Sequence, residues 1–144
     1  MRRTPGDKLR KPSKPKKIKH KSATKLHKKA WELQSKFKRR EAADENGIVC
    51  CYTCGHPHYW TDMDLGHYIH LNALDFEPDN LRPQCKQCNK WKSGNLDIYG
   101  ERLIKEIGIK KVEILRQKAN QNKKFNIIEL EEIIQTYKDL LKNL

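Results

Sequence analysis

With 144 residues, of which 34% are charged and 36% apolar, the chain has room for one modest domain and only a small core. Its 31 Lys and Arg against 18 Asp and Glu leave a formal charge of +13, which favours phosphate-rich partners, with an anionic membrane surface as the rival. No run of about 18 apolar residues exists to span a membrane, and the basic N-terminus lacks the apolar segment of a signal peptide, which predicts a cytosolic protein.

The charge belongs to one end. Residues 1–40 hold 17 Lys/Arg and 2 Asp/Glu, whereas the remaining 104 residues carry 14 and 16. Within residues 1–21, Pro5, Pro12 and Pro15 and the scarcity of apolar side chains predict a disordered arm. Lys16, Lys17 and Lys19 in it are expected to neutralise DNA phosphates without reading sequence, the plainer reading being a solubilising tail.

From Ser22, the spacing of Leu26, Ala30, Leu33 and Phe37 predicts a helix with Trp31 beside its apolar face and Lys and Arg opposite. Asp44-Glu45-Asn46-Gly47 ends it with turn chemistry. Ile48, Val49 and Tyr52 suggest a short strand or knuckle, Gly55-His56-Pro57 a turn, and residues 59–69 the two strands of a hairpin. A helix is expected to begin around Pro83 to Cys88 and to carry Asn89 in an early turn, for a strand-strand-helix order. Ile98, Leu103, Ile104 and Ile107 mark a helix over 96–107 that Gly108 stops, and Val112, Ile114 and Leu115 mark another over 110–119. Asn126 and Glu129 form a capping-box-like start for a last helix. Its stripe of Leu130, Ile133, Ile134, Tyr137, Leu140 and Leu141 suits core packing or a dimer seam.

Four of the five cysteines fall into two Cys-x-x-Cys pairs, Cys51/Cys54 and Cys85/Cys88, which suit a tetrahedral Zn²⁺ better than disulfides in a chain without an export signal. Four thiolates leave no open position for water, so such a metal is structural and any chemistry sits elsewhere. Cys50 is the odd one, and an exchange of roles with Cys51 stays open. Between the pairs, His67 can face a hard metal ion. Asp64 and Gly66 lie on one strand face and Leu65 and His67 on the other, so a twist or bulge is needed to bring Asp64 to His67. Arg82, Lys86, Lys90 and Lys92 surround the second pair as phosphate clamps or as ordinary surface charges. Trp60 and Trp91 are assigned to packing ahead of base stacking. His20, His27, His56, His58 and His70 receive no chemistry, although His70 is near enough to His67 for phosphate contact.

The order Cys-x-x-Cys, Gly-His-Tyr, Asn-Leu and Cys-x-x-Cys-Asn, followed by Lys92-Ser93-Gly94-Asn95-Leu96, resembles the His-Asn-His (HNH) endonuclease class with the ββα-metal fold. It is most similar to the phage NinG/Rap recombination nucleases, from about Trp31 to the C-terminus. The resemblance implies an α+β fold in which one domain over 22–144 has a small zinc-stapled ββα-metal core flanked by an N-terminal helix and C-terminal helices. It makes His67 the general base, Asn89 a ligand of catalytic Mg²⁺ or Mn²⁺, and Asn80 the residue that holds the loop orienting His67. Many members outside the phage group carry an aspartate directly before the histidine as second ligand. Here that position is Gly66, and Asp64 is the candidate in its place. The implied substrate is branched DNA, such as Holliday junctions or forks, cut by a homodimer in the cytoplasm of a bacterial host. A non-catalytic zinc-dependent DNA-binding module, or a regulator recruiting partners through its C-terminal helices, are the competing expectations.

Overall fold

The computed structural model describes residues 22–144; the basic arm with Lys16, Lys17 and Lys19 lies outside the described residues. The chain runs α1 (Ala23–Glu41), β1 (Ile48–Cys50), β2 (Pro57–Tyr59), β3 (Met63–His67), β4 (Leu81–Cys85), a π turn (Gln87–Trp91), α2 (Leu96–Ile107), α3 (Ile109–Ala119) and α4 (Ile127–Lys142). The expected mixed α+β architecture is present. Two separate antiparallel pairs, β1 with β2 and β3 with β4, make up the sheet content.

Local chemistry accounts for the boundaries. Ser22 Oγ accepts from the Lys25 N–H to start α1, and Asn126 and Glu129 form a full capping box on α4. Asp44 accepts the Asn46 and Ile48 N–H groups in the turn after α1, which Gly47 passes at φ +78°. Gly108 at φ +87° ends α2 and directly precedes α3.

One strand expectation is corrected and one helix start is narrowed. Residues 59–69 do not form a hairpin: a short 3₁₀ turn at Trp60–Asp62 leads into the single strand β3, whose partner is β4. Pro83 lies inside that partner strand, so the helix expected to begin around 83–88 starts at the late end of that range, with the turn Gln87–Trp91. Pro83 faces Leu65, its carbonyl turns outward to the Tyr52 N–H, and β4 pairs on one edge only, where a residue without an N–H is tolerated. The helical turn after it is correspondingly short and contains Asn89.

The core is three small clusters, as a chain so rich in charge allows. Leu26 and Ala30 of α1 pack on Leu130 and Ile134 of α4, so the middle of the C-terminal stripe is covered within the chain. Tyr99, Leu103, Val112 and Leu115 join α2 to α3. Val49, Cys51, Met63, Cys85 and Cys88 form the third. On α2 the buried face is Tyr99, Gly100 and Leu103, while Ile98 and Ile104 are exposed, as is Ile114 on α3. Tyr99 takes the inner position because its hydroxyl donates to the Gly66 and Asn80 carbonyls and ties α2 to the β3–β4 pair.

Candidate metal centre and reactive cavity

The thiols of Cys51, Cys54, Cys85 and Cys88 converge, with all four Sγ atoms within 4.8 Å of one another. Cys54 and Cys85 are 3.8 Å apart, which matches the roughly 3.8 Å edge of a tetrahedron with Zn–S bonds of about 2.3 Å. Four thiols at this spacing can bind a metal such as zinc. Cys50 is exposed on β1 and stands outside the cluster. Burial pushes the Cys54 and Cys85 thiols up, Cys85 to about 12. At Cys51 burial acts the same way but is outweighed by backbone hydrogen bonds at Cys54 and Cys85 and by the Thr53 hydroxyl, which bring it down to about 6. One thiol is thus ready to ionise in a pocket that resists further negative charge, the setting in which a divalent cation is most stabilising.

The second site is a cavity of about 860 Å³ between α1, β3, the turn after β4 and the segment before α4, rimmed by Asp64, His67, Asp75 and Asn89 among others. No bulge is needed to bring Asp64 and His67 to it, since the β3–β4 ladder is continuous from Met63 opposite Cys85 to His67 opposite Leu81. Strand β3 is paired along one edge only, and Asp64, Leu65 and His67, from both of its faces, line the cavity.

His67 is held from three sides. Its Nε2 donates to Asp75 Oδ1 at 2.8 Å, its ring stacks on Trp31 at 4.7 Å and 11°, and His70 lies 4.9 Å away. Asp75 Oδ2 takes a second bond, 2.6 Å from His27 Nε2. Burial raises the Asp75 carboxyl, but the hydrogen bonds from His67 and His27 outweigh it and hold the group below the usual carboxylate range. A carboxylate only accepts, so both rings carry hydrogen on Nε2 and leave Nδ1 as the basic nitrogen. The Asp75 carbonyl accepts from Gln34, whose own amide oxygen accepts from Tyr137, so α1 and α4 together fix this loop.

Asp64 lies on the same rim. Lys86 Nζ is 3.1 Å from its Oδ1, and Asn89 Nδ2 donates to its Oδ2 at 3.1 Å. The carboxylate already accepts a positive group from the cavity side. Gly66, directly before His67, must be small: a Cβ there would run into Gln84 Oε1. Gln84 is buried and held through its Nε2 by Thr53 and the Gly94 carbonyl, while its Oε1 has no hydrogen-bond partner. Gly66 therefore has no room for a larger side chain while Gln84 stays in place.

The other residues singled out from sequence divide. Asn80 does not line the cavity. It is buried, accepts the Ile69 N–H, and donates to the Ile69 and Leu74 carbonyls, fastening the loop between His67 and Asp75. Lys86 and Lys90 are on the cavity rim, whereas Lys92 is exposed outside it. Arg82 does not act with them: it pairs with Glu106 at 2.9 Å, donates to the Pro78 and Leu81 carbonyls and lies over Tyr52, away from the cavity. Glu106 of α2 supplies the carboxylate that holds it there.

Asp75 and His27 are the residues that sequence reading passed over. Asp75 stands in an irregular stretch, 48 residues from His27, and no local pattern links them. The available signal was on α1, where His27, Trp31 and Gln34 recur at i, i+4 and i+7 beside the apolar stripe.

A cluster of four cysteines that could bind a metal, beside a histidine-carboxylate cavity in a small mixed α+β chain, defines the class of protein. Among the described residues no helix is long and apolar enough to cross a membrane. The chain belongs to the NinG family: the family model described as Bacteriophage Lambda NinG protein matches residues 1–144. It is 35% identical over 97 residues to protein ninG of Escherichia phage lambda, and 34% identical over 97 residues to those of Escherichia phage 933W and Salmonella phage P22. Each match covers 65% of this chain and 47% of the relative, so the chain spans about half the length of the curated relatives it matches. No solved structure matches.

Proposed function

We propose that the chain is a metal-dependent, structure-selective DNA endonuclease that acts on branched recombination intermediates such as Holliday junctions and forks. The observation that carries this reading is a histidine with its Nε2 committed to a half-buried carboxylate, sharing one cavity with an aspartate and an asparagine. His67 is the general base. Asp75 keeps its hydrogen on Nε2 and stabilises the imidazolium, so Nδ1 takes the proton from the attacking water. Trp31 and Asn80 keep the ring and its loop in place.

Asp64 and Asn89 would hold Mg²⁺ or Mn²⁺, with phosphate and water completing the oxygen shell that such ions favour. When bound, the ion supplies positive charge to the scissile phosphate and to the leaving 3′ oxygen. Lys28, Lys86, Lys90, Lys123 and Lys124 on the cavity rim give the field that draws a polyanion in. Scission then leaves 5′-phosphate and 3′-hydroxyl ends. The cysteine centre takes no part in the chemistry and fixes Asn89, which directly follows Cys88.

Purified protein, assayed on junction, fork and linear duplexes in Mg²⁺ or Mn²⁺ and again in EDTA, should cut only branched substrates and only with metal. His67→Ala should abolish cutting while keeping zinc and DNA binding, and an active His67→Ala protein would sink the mechanism. Tight binding without scission under every metal condition would leave a zinc-stapled DNA-binding module.

A further inference from the structure

Trp91 is 84% exposed, the most exposed large apolar side chain among the described residues. The packing role expected for it is therefore absent. The other two tryptophans do obtain partners: Trp31 stacks on His67, and Trp60 packs against the cysteine cluster with Arg39 5.8 Å from its ring. An indole left in water while the other two obtain partners is an unfilled contact.

Its setting selects the partner. Residues 86–95 include Lys86, Lys90 and Lys92 and no acidic residue, so exposed cationic side chains flank the ring on both sides. Trp91 closes the π turn that begins at Gln87 and contains both Cys88 of the metal centre and Asn89, whose amide reaches Asp64 in the cavity. The platform is firm: the Lys92 N–H donates to the Gln87 carbonyl at 3.0 Å and the Gly94 N–H to the Cys88 carbonyl at 2.9 Å. A ligand that offers a π face between phosphates, within two residues of Asn89, is a nucleotide with its base unstacked.

We infer that Trp91 is a base-stacking residue that engages an unpaired or unstacked nucleotide next to the cavity, with Lys90 and Lys92 on the adjoining phosphates. A continuous duplex hides its base faces and a branch point exposes them, so this contact favours branched over linear DNA. The inference deepens the endonuclease reading and rests on it for the kind of DNA bound, but stacking needs no scission.

The test uses the full zinc-loaded chain without added Mg²⁺ and a four-way junction carrying 2-aminopurine at the branch, beside a linear duplex of the same sequence. Wild type should quench the 2-aminopurine. Trp91→Ala should lose that quenching and bind the junction about tenfold more weakly, with duplex affinity held, whereas Trp91→Phe should retain most of both. Zinc content and circular dichroism verify that each variant is folded. Equal junction binding by wild type and Trp91→Ala, an equal loss on junction and duplex, or no DNA binding by wild type would overturn the inference. So would a concentration-dependent self-association that Trp91→Ala abolishes, which would assign the ring to a second copy of the chain. Wild type that stacks and never cuts in Mg²⁺ or Mn²⁺ would refute the endonuclease reading and leave this one standing.

Discussion

Replacing Asp75 with asparagine tests the link between the fold and the proposed chemistry. The wild-type carboxylate accepts from His67 at 2.8 Å and from His27 at 2.6 Å with 13% of its side chain exposed. Hydrogen bonds to a charged group contribute about 1.5–3 kcal/mol each. The amide of Asp75→Asn keeps one acceptor and turns an NH₂ toward the other ring, which must switch its hydrogen to Nδ1 or lose its partner. We expect a loss of about 2–4 kcal/mol in unfolding free energy at pH 7, read from denaturant midpoints at unchanged slope. Nicking should fall by about 10²–10⁴-fold, because the His67 tautomer is no longer enforced. The sign of the pH dependence follows from the depressed carboxyl. Its contribution is complete above the unfolded value of about 4 and disappears as the pH falls through the lower folded value. The gap between wild type and Asp75→Asn should therefore be full at neutral pH and close in acid. Both proteins carry the same cysteines, so loss of metal at low pH cancels in the difference. A variant as stable and active as wild type at pH 7, or a gap that does not shrink in acid, would refute the reasoning.

Two further predictions concern the scaffold. Serine at Cys51, Cys54, Cys85 or Cys88 should remove the bound zinc measured by mass spectrometry and lower stability by an amount on the order of 5 kcal/mol or more. Cys50→Ser should leave metal content unchanged, because the Cys50 thiol lies outside the cluster. Gly66→Ala forces a methyl against Gln84 Oε1 and should destabilise by about 1–3 kcal/mol in a denaturant melt. In the double variant with Gln84→Ala the two losses should not add, since the clash is removed with the amide, and additive losses would place the cost elsewhere.

Several features were legible without coordinates because they are local. Two thiol pairs at metal-ligand spacing, the caps at Ser22 and Asn126 and the Asp44–Gly47 turn are encoded within a few residues and were placed correctly. The strands around the centre were not. Pro83 reads locally as a helix start, yet two-stranded pairing accepts it in β4. The inward face of α2 was misread as well, since Tyr99 is chosen by distant carbonyls at Gly66 and Asn80 and not by hydrophobic period alone.

What the sequence determined by itself is the inventory: a basic end, four cysteines in two pairs at metal-ligand spacing, His67, Asn80 and Asn89 set between and beside them, and a helical frame. Only the tertiary structure decided which of these act together. It brings His67 and His27 together on Asp75, joins Asp64 to Asn89, turns Arg82 toward Glu106, and leaves Trp91 in water. The physical reason is range. Caps, turns and Cys-x-x-Cys spacing are set by neighbours in sequence, whereas the partners of a buried carboxylate or a strand edge are set by how α1 and α4 close over β3, across separations of up to 103 residues.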